Sequence, residues 1–256
     1  DKSNVLLESH LKTLRLPTFK KEYKRTARQC GEDNRDYEDF LLCLSDMEVQ
    51  NRETKANARR IREAEFPADK DLSGFDFSAV PKLNKRTILQ LAQCGYICSK
   101  ENIVLVGPPG VGKTHLAIAL GRQACVRGFR VKFFTASGLA TAYAEAREER
   151  HVQKLENYIA KRRLIILDEL GYLPLGQDAS ENIFGFFSRC YEATSLIVTT
   201  NLPFSEWPQI FGDERMAGAL LDRLTHRVHV IEILGDSYRL KATLKGKGGY
   251  EEKKID

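Results

Sequence analysis

Residues 107–114 read Gly-Pro-Pro-Gly-Val-Gly-Lys-Thr and fill the pattern G-x-x-x-x-G-K-[ST] without a mismatch. The apolar run 103–106 enters this loop as a strand would, and the run 115–120 leaves it as a good helix former. A strand, a glycine-rich loop and a helix form the context in which this pattern holds a phosphate chain. The sequence therefore predicts that the chain binds a nucleoside triphosphate.

The chemistry of such a loop assigns a role to each of its parts. Backbone N–H groups and the positive end of the helix surround the phosphates, Lys113 reaches the β- and γ-phosphates, and Thr114 offers a hydroxyl to Mg²⁺. We therefore expect ATP and Mg²⁺ as cofactors. The predicted nucleotide-binding residues are Gly107, Pro108, Pro109, Gly110, Val111, Gly112, Lys113, Thr114 and His115.

A second apolar run ends in two carboxylates, in the order Leu-Ile-Ile-Leu-Asp-Glu over residues 164–169. A carboxylate at the carboxyl end of a buried strand lies beside the phosphate loop, so Asp168 is the predicted metal ligand. The adjacent Glu169 is the predicted base that polarises the attacking water. Asn201 follows the apolar strand 195–200 and either orients that water or simply begins a turn.

Helix and strand patterns alternate from residue 86 onward, which predicts an α/β fold with a parallel sheet covered by helices on both faces. The strands are expected at 102–106, 130–135, 164–167, 195–200 and about 228–233, with a single long helical stretch at 138–162. Residues 1–66 read as a small all-helical N-terminal domain. The remaining predicted parts are a linker at 67–85, the ATPase core at 86–244 and a flexible tail at 245–256.

The composition is ordinary for a globular protein, with 42% hydrophobic and 29% charged residues among 256. The sequence has neither an apolar stretch long enough to span a bilayer nor the apolar core of a signal peptide at its start, so no membrane partner is expected. Six scattered cysteines without a metal-site spacing indicate reduced thiols and a cytoplasmic location. A net charge of +5 permits a nucleic-acid partner.

Three stretches of the chain resemble one family: Phe-Asp-Phe-Ser at 75–78, Leu-Asp-Glu-Leu-Gly-Tyr-Leu-Pro at 167–174, and Thr-Thr-Asn-Leu-Pro-Phe at 199–204. Together with the phosphate loop and Leu-Asp-Arg-Leu at 221–224, they resemble the initiator and loader branch of the AAA+ ATPases. The chain is similar in particular to the IstB-like insertion-sequence helper ATPases, which are related to the DnaC helicase loader. The resemblance extends over nearly the whole chain.

This resemblance implies that Asn201 is a polar sensor and that Arg223 is an arginine finger reaching the γ-phosphate of a neighbouring subunit. Arg215 and Arg227 are nearby rivals for the second role, and Arg239 is a candidate second sensor. Few residues follow Arg239 in the sequence, which predicts a missing or vestigial helical lid. Active sites shared between subunits imply a homo-oligomer.

Two rows of basic residues in the N-terminal part recur at helical spacing and are candidate contacts to DNA phosphates. A solvated helix face without a ligand is the alternative for both. The residues are Lys20, Lys24 and Arg28 in the first row, and Arg52, Lys55, Arg59 and Arg62 in the second.

The resemblance implies an ATP-dependent DNA-binding ATPase that oligomerises on duplex target DNA and activates a cognate transposase. A DnaC-like loader of a replicative helicase, acting on single strands, is the first alternative. An ATP-dependent protein remodeller without a nucleic-acid role is the second.

Overall fold

The computed structural model describes residues 2–172, 176–235 and 237. The chain divides into two compact units, residues 1–59 and residues 60–256. The first unit is helical, and the last of its helices continues past residue 59 into the second unit. Its helices are α1 (Lys2–Thr13), α2 (Pro17–Glu32) and α3 (Tyr37–Ala64).

Local sequence explains where these helices begin and end. Pro17 occupies the first turn of α2, where its missing N–H costs no helical hydrogen bond. The Asp36 carboxylate accepts a hydrogen bond from the backbone N–H of Asp39 (2.7 Å) and so caps the start of α3. At the other end of α3, Glu65 adopts a left-handed conformation (φ 54°), and Pro67 cannot continue a helix.

The second unit is built on a five-stranded sheet in the order β2-β3-β4-β1-β5, and all four pairings are parallel. The predicted α/β fold with a parallel sheet is therefore confirmed. The strands lie close to the predicted positions, although β3 runs three residues further than expected. They are β1 (Asn102–Val106), β2 (Val131–Thr135), β3 (Leu164–Leu170), β4 (Ser195–Thr200) and β5 (Val228–Glu232).

Helices cover both faces of this sheet because alternate strand residues point to opposite sides. Ile103 and Leu105 belong to one buried apolar cluster, whereas Val104 between them belongs to the other. The helices of this unit are α4 (Lys85–Leu91), α5 (Gly95–Cys98), α6 (Lys113–Val126), α7 (Ala136–Glu148), α8 (Val152–Ala160), α9 (Gln177–Cys190), α10 (Trp207–Phe211) and α11 (Glu214–Thr225).

The predicted single helix at 138–162 is wrong, because the stretch forms two helices, α7 and α8, with a break at 149–151. The break is a Schellman cap: the His151 N–H donates to the Ala146 carbonyl (2.7 Å) and the Arg150 N–H donates to the Arg147 carbonyl (3.2 Å). Arg150 takes the left-handed position of this cap, with φ 58°. Glycine usually occupies that position, so the sequence carries no signal for the break.

The segment 67–85, expected as a linker, lies within the second unit and contributes to its core. Phe75, Val80 and Leu83 are buried there, and residues 77–79 form a short 3₁₀ helix. The Asp76 carboxylate caps that helix by accepting a hydrogen bond from the Ser78 N–H (2.9 Å). This segment therefore has a fixed position beside the sheet.

None of the helices in the described part of the chain combines the length and apolar character needed to cross a membrane. The predicted tail at 245–256 and the candidate sensor Arg239 lie outside the described residues.

Candidate functional site

The phosphate loop connects β1 to α6 at the carboxyl edge of the sheet. Two of its glycines have no room for a side chain. A Cβ on Gly107 would lie 2.2 Å from the Ile233 carbonyl oxygen, and one on Gly112, where φ is 103°, would lie 2.8 Å from the Phe75 ring. Only glycine fits both positions, and the chain can then turn directly into α6 at Lys113.

The Lys113 ammonium lies against the loop that precedes it. Its Nζ donates hydrogen bonds to the carbonyl oxygens of Gly107 (2.6 Å) and Pro108 (2.8 Å). The positive charge is thus held at the start of α6, where the helix dipole also favours an anion. The role of Lys113 in binding phosphates stays a prediction.

Asp168 is the centre of a hydrogen-bonded group formed by three separate segments. Its Oδ1 accepts hydrogen bonds from the hydroxyls of Thr114 (3.0 Å) and Thr199 (2.5 Å). The side chain is only 3% exposed. Burial raises the pKa of the Asp168 carboxyl above its usual value, while the hydrogen bonds from Thr199 and Thr114 and the charge of Lys113 oppose that rise.

Glu169 is held in place through its backbone. Its N–H donates to the same Thr199 hydroxyl (3.0 Å), and its φ of 61° lies in the left-handed region. This conformation coincides with an irregularity in the pairing of β3 with β4 between residues 167 and 170. The Glu169 side chain is exposed and lines the cleft beside the phosphate loop.

The oxygen atoms around Asp168 fit a Mg²⁺ ion. Mg²⁺ prefers hard oxygen donors and commonly takes only one or two groups from the protein, with nucleotide phosphates and waters completing its shell. The Thr114 hydroxyl and the buried Asp168 carboxylate provide two such donors 3.0 Å apart. Within the described ranges no group of three or more His, Cys, Asp and Glu side chains forms a richer metal site.

A cleft of about 540 Å³ extends from the phosphate loop over the start of α6. Its far wall is the segment 67–80, which contributes Phe75, Ala79 and Val80 among other residues. His115 fastens this wall, because its Nε2 lies 2.8 Å from the Asp71 carbonyl oxygen and its ring packs edge-on against Phe75 at 5.3 Å between centroids. An apolar wall next to a phosphate loop is suited to a planar base.

Sequence reasoning missed this wall and the role of Thr199. Residues 75–78 contributed to the prediction only through a family resemblance. Aromatic side chains in a predicted linker are nevertheless a signal that the segment is buried. Thr199 lies in an apolar run two residues before Asn201. A polar residue near the carboxyl end of a buried strand is the signal that was overlooked for Thr199.

Asn201 directly follows β4 at the edge where the phosphate loop begins. The preceding residue, Thr200, accepts a hydrogen bond from the Gly107 N–H through its carbonyl (3.2 Å). The predicted sensor therefore emerges beside the loop.

Arg223 lies near the opposite edge of the sheet. Its helix α11 is bonded to the start of β1, where the Asn102 amide donates to the Leu224 carbonyl (3.0 Å). The Arg223 guanidinium donates to the Ala219 carbonyl (2.8 Å) and lies 5.2 Å from the centroid of the Phe184 ring. The amino edge of the sheet and the phosphate loop are separated by the length of β1, so Arg223 does not belong to the cleft of its own chain.

The two rivals of Arg223 lie elsewhere on the chain. Arg215 is exposed in the first turn of α11. Arg227 is exposed just before β5, and its Nη1 is 3.4 Å from the Ser99 carbonyl oxygen.

The first candidate DNA row carries a counter-charge that the sequence did not reveal. The Glu8 carboxylate lies 3.8 Å from Lys20 Nζ and 3.2 Å from Lys24 Nζ, whereas Arg28 is exposed. Because Glu8 belongs to α1 and the row to α2, only the tertiary structure brings them together.

In the second row, Arg52 has a structural task. Its Nε donates to the buried Glu48 carboxylate (2.6 Å), and its Nη2 donates to the Arg15 carbonyl (2.6 Å). Lys55, Arg59 and Arg62 are exposed on the same helix. Arg52 is therefore bound to its own chain, and the side chains of the other three residues are exposed at the surface.

The sheet order β2-β3-β4-β1-β5, the phosphate loop after β1 and the Asp-Glu pair on β3 define a P-loop nucleotide-binding protein of the AAA+ type. The family description "IstB-like ATP binding protein" matches residues 9–246, and the chain belongs to this family.

Individual relatives and solved structures agree with this assignment. An ATP-binding protein of insertion sequence IS21 from Pseudomonas aeruginosa is 35% identical over 239 residues, which are 93% of this chain and 90% of that protein. AMPPCP-bound DnaA from Aquifex aeolicus has a similar fold (TM-score 0.57, 20% identity, 75% of this chain and 58% of that chain). The DnaC helicase loader is also similar (TM-score 0.50, 23% identity, 58% of this chain and 87% of that chain).

Proposed function

We propose that this chain hydrolyses ATP to ADP and phosphate with Mg²⁺, assembles with copies of itself on duplex DNA, and so regulates and activates a partner transposase. The observation that carries the proposal is the joining of Thr114, Asp168 and Glu169 by one buried hydroxyl network beside the phosphate loop. Family membership supports ATP binding in general, and relatives bear the names of insertion-sequence proteins.

Each predicted site residue has a separate task in this proposal. Lys113 and the backbone of 107–112 bind the phosphates, and Thr114 and Asp168 hold Mg²⁺, which neutralises charge on the β- and γ-phosphates when it is bound. Glu169 accepts a proton from the attacking water, because it is the carboxylate next to the metal ligand and is exposed to the cleft. Asn201 orients the γ-phosphate or the water.

Self-assembly completes the site in this proposal. Arg223 lies beyond the reach of the cleft in its own chain, so it acts, if it is the finger, on the nucleotide of a neighbouring copy. A cation placed on the developing charge of phosphoryl transfer accelerates it by several orders of magnitude. ATP bound between two copies therefore links hydrolysis to oligomerisation.

Duplex DNA and a transposase are the proposed partners of the assembly. The N-terminal helical part, with the exposed cations Arg28, Lys55, Arg59 and Arg62, is the proposed contact to DNA or to the partner protein. Cations on a helix face attract phosphates irrespective of base sequence. The named insertion-sequence relatives support a role next to a transposase encoded by the same element.

One titration separates this function from its alternatives. Fluorescence anisotropy of labelled duplex and of labelled single strands is measured with and without ATP, for the parent and for Lys55→Gln/Arg59→Gln. Tighter binding to duplex with ATP, weakened by the double substitution, is expected. A clear preference for single strands would instead indicate a helicase loader, and no binding to either would indicate a protein remodeller.

A further inference from the structure

A group of exposed cations lies at the amino ends of β2 and β3, at the edge of the sheet opposite the nucleotide cleft. Arg130 immediately precedes β2 and Arg163 immediately precedes β3. Arg127 and Lys161 stand at the ends of α6 and α8, next to the same two strands. All four side chains are exposed. We call these four residues the basic corner.

Two carboxylates near this corner, Glu63 and Glu65, contact buried cations. Glu65 lies 2.6 Å from the Nζ of Lys132, and Glu63 lies 4.0 Å from the guanidinium of Arg162. Lys132 and Arg162 are only 5% and 8% exposed, and both lie against the Tyr158 ring. Burial makes the charge of these two residues costly to leave unpaired, so the acidic partners serve them.

The exposed cations receive no such compensation. Within residues 2–172, 176–235 and 237, no carboxylate forms an ion pair with Arg130, Lys161 or Arg163. Arg127 bonds to the Ala92 carbonyl (3.3 Å) and to the Gln93 side chain, both of which are neutral. The surface of the corner is therefore a concentration of uncompensated positive charge.

Two of the four cations have a structural explanation, and two do not. Arg127 and Lys161 occupy helix C-caps, where the helix dipole favours a positive charge. Arg130 and Arg163 lie next to each other just before two paired strands, since the Arg163 N–H donates to the Arg130 carbonyl (2.9 Å). Like charges on residues held next to each other repel. This repulsion would be relieved by an anion bound between them.

The chemistry of the corner points to phosphate groups. Apart from Gly128, each exposed residue of 127–130 and 161–163 is cationic. A guanidinium presents a planar fork of donors that matches a phosphate. An acidic protein partner would be expected to contact an apolar centre of the interface as well as the cations. A nucleic-acid backbone needs only a row of cations.

We propose that the basic corner binds the phosphate backbone of DNA, with Arg130 and Arg163 as its central contacts. This inference rests on the proposed DNA-binding function and adds a contact surface on the ATPase unit itself. β2 and β3 separate the corner from the cleft by roughly 17 Å, at about 3.3 Å per residue over five residues. DNA at the corner and ATP in the cleft therefore occupy different places.

The test compares Arg130→Gln/Arg163→Gln with the matched double variant Lys82→Gln/Arg86→Gln, which removes two exposed charges elsewhere. Duplex affinity is measured by anisotropy between about 50 and 200 mM salt. Loss of two phosphate contacts should reduce the slope of log affinity against log salt by about 1.8 and weaken binding about tenfold or more. The Lys82 and Arg86 variant should resemble the parent.

Further controls make each outcome decisive. Arg130→Lys/Arg163→Lys keeps the charge and should retain most of the parent's slope, and fluorescent-ATP binding should be the same in all variants. The proposed DNA contact at the basic corner would be wrong if Arg130→Gln/Arg163→Gln left the salt slope of duplex affinity unchanged. It would also be wrong if the Lys82 and Arg86 variant lost as much duplex affinity. If the unsubstituted protein binds no DNA, both the proposed DNA-binding function and the DNA contact at the basic corner are wrong.

Discussion

The hydroxyl of Thr199 bridges the two carboxylate residues of the nucleotide site. It donates to Asp168 Oδ1 over 2.5 Å and accepts from the Glu169 backbone N–H over 3.0 Å. Thr199 is 1% exposed, so water does not replace either bond. A hydroxyl that donates one bond and accepts another can link the metal ligand and the base in one fixed arrangement.

Replacing Thr199 should therefore impair turnover more than nucleotide binding. Thr199→Val leaves the Glu169 N–H without a partner and should lower the free energy of unfolding by about 1–3 kcal/mol. We expect kcat for ATP hydrolysis to fall about tenfold or more, with little change in KM. A tenfold fall corresponds to a rise in activation free energy equal to that of about one pKa unit.

The pH dependence distinguishes positioning from a general loss of stability. The Thr199 hydrogen bond lowers the pKa of Asp168, so its removal should raise that pKa and move the acid limb of the rate profile to higher pH. Thr199→Ser should restore the profile and kcat. An unshifted acid limb in Thr199→Val would contradict the role of the hydroxyl.

ATP turnover should depend on Glu169. Glu169→Gln keeps the shape of the side chain but removes the proton acceptor, and general bases contribute about 10²–10⁴-fold in rate. We expect hydrolysis to fall by that factor while ATP binding persists, so that ATP-bound oligomers become longer-lived in size-exclusion chromatography. Hydrolysis at the parent rate would rule Glu169 out as the base.

Mixed oligomers should reveal whether Arg223 acts on a neighbouring copy. Arg223→Ala subunits retain their phosphate loop, and Lys113→Ala subunits retain their arginine. Some interfaces in a mixture combine both intact parts, so part of the ATPase activity should return when two inactive variants are combined. The same mixing with Arg215→Ala and Arg227→Ala identifies the finger among the three. Failure of every mixture, together with an active monomeric parent, would count against a shared site.

The apolar wall of the cleft should contribute to nucleotide affinity. Phe75 is 8% exposed and packs against His115, and Phe75→Ala removes a ring from the wall. We expect Kd for a fluorescent ATP analogue to rise about tenfold, or about 1.4 kcal/mol. Phe129→Ala, which alters the same core away from the cleft, should leave Kd close to that of the parent. Equal losses in both variants would mean that Phe75 acts only through stability.

The bond between Arg52 and Glu48 should make the stability of the N-terminal unit pH-dependent. Burial raises the pKa of Glu48, but hydrogen bonds from Arg52 and Thr18 outweigh it and leave the pKa below its ordinary value of 4.5. The charged carboxylate therefore stabilises the fold above pH 4.5, and this contribution is lost as pH falls through the lowered pKa.

Arg52→Gln should accordingly lower the melting temperature near neutral pH by a few degrees, about 2–4 °C, and the difference from the parent should shrink in acid. Lys55→Gln on the same helix is the control, since Lys55 is exposed and should show no such pH-dependent difference. A difference that stays constant down to acidic pH would mean that Arg52 contributes through packing instead.

The nucleotide-binding class could be predicted from the sequence because it depends on short, contiguous patterns. The phosphate loop is a property of its own backbone: glycine at 107 and 112 permits the turn, and Lys113 and Thr114 follow in the next helical turn. The position of Asp168 beside that loop followed from a buried strand with a carboxylate at its end, and its role as a metal ligand stays a prediction. The family, the parallel sheet and the ATP-binding class followed from such local patterns and were confirmed.

Tertiary structure alone decided the features that join distant segments. Thr199 meets Asp168 because β4 pairs with β3, Glu8 meets Lys24 because α1 packs on α2, and the segment 67–80 meets His115 because it packs along the cleft. Helical and strand periodicities state which face of an element is apolar, but not which other element covers it. The network around Asp168, the wall of the cleft and the side-by-side arginines at 130 and 163 therefore depended on the folded chain.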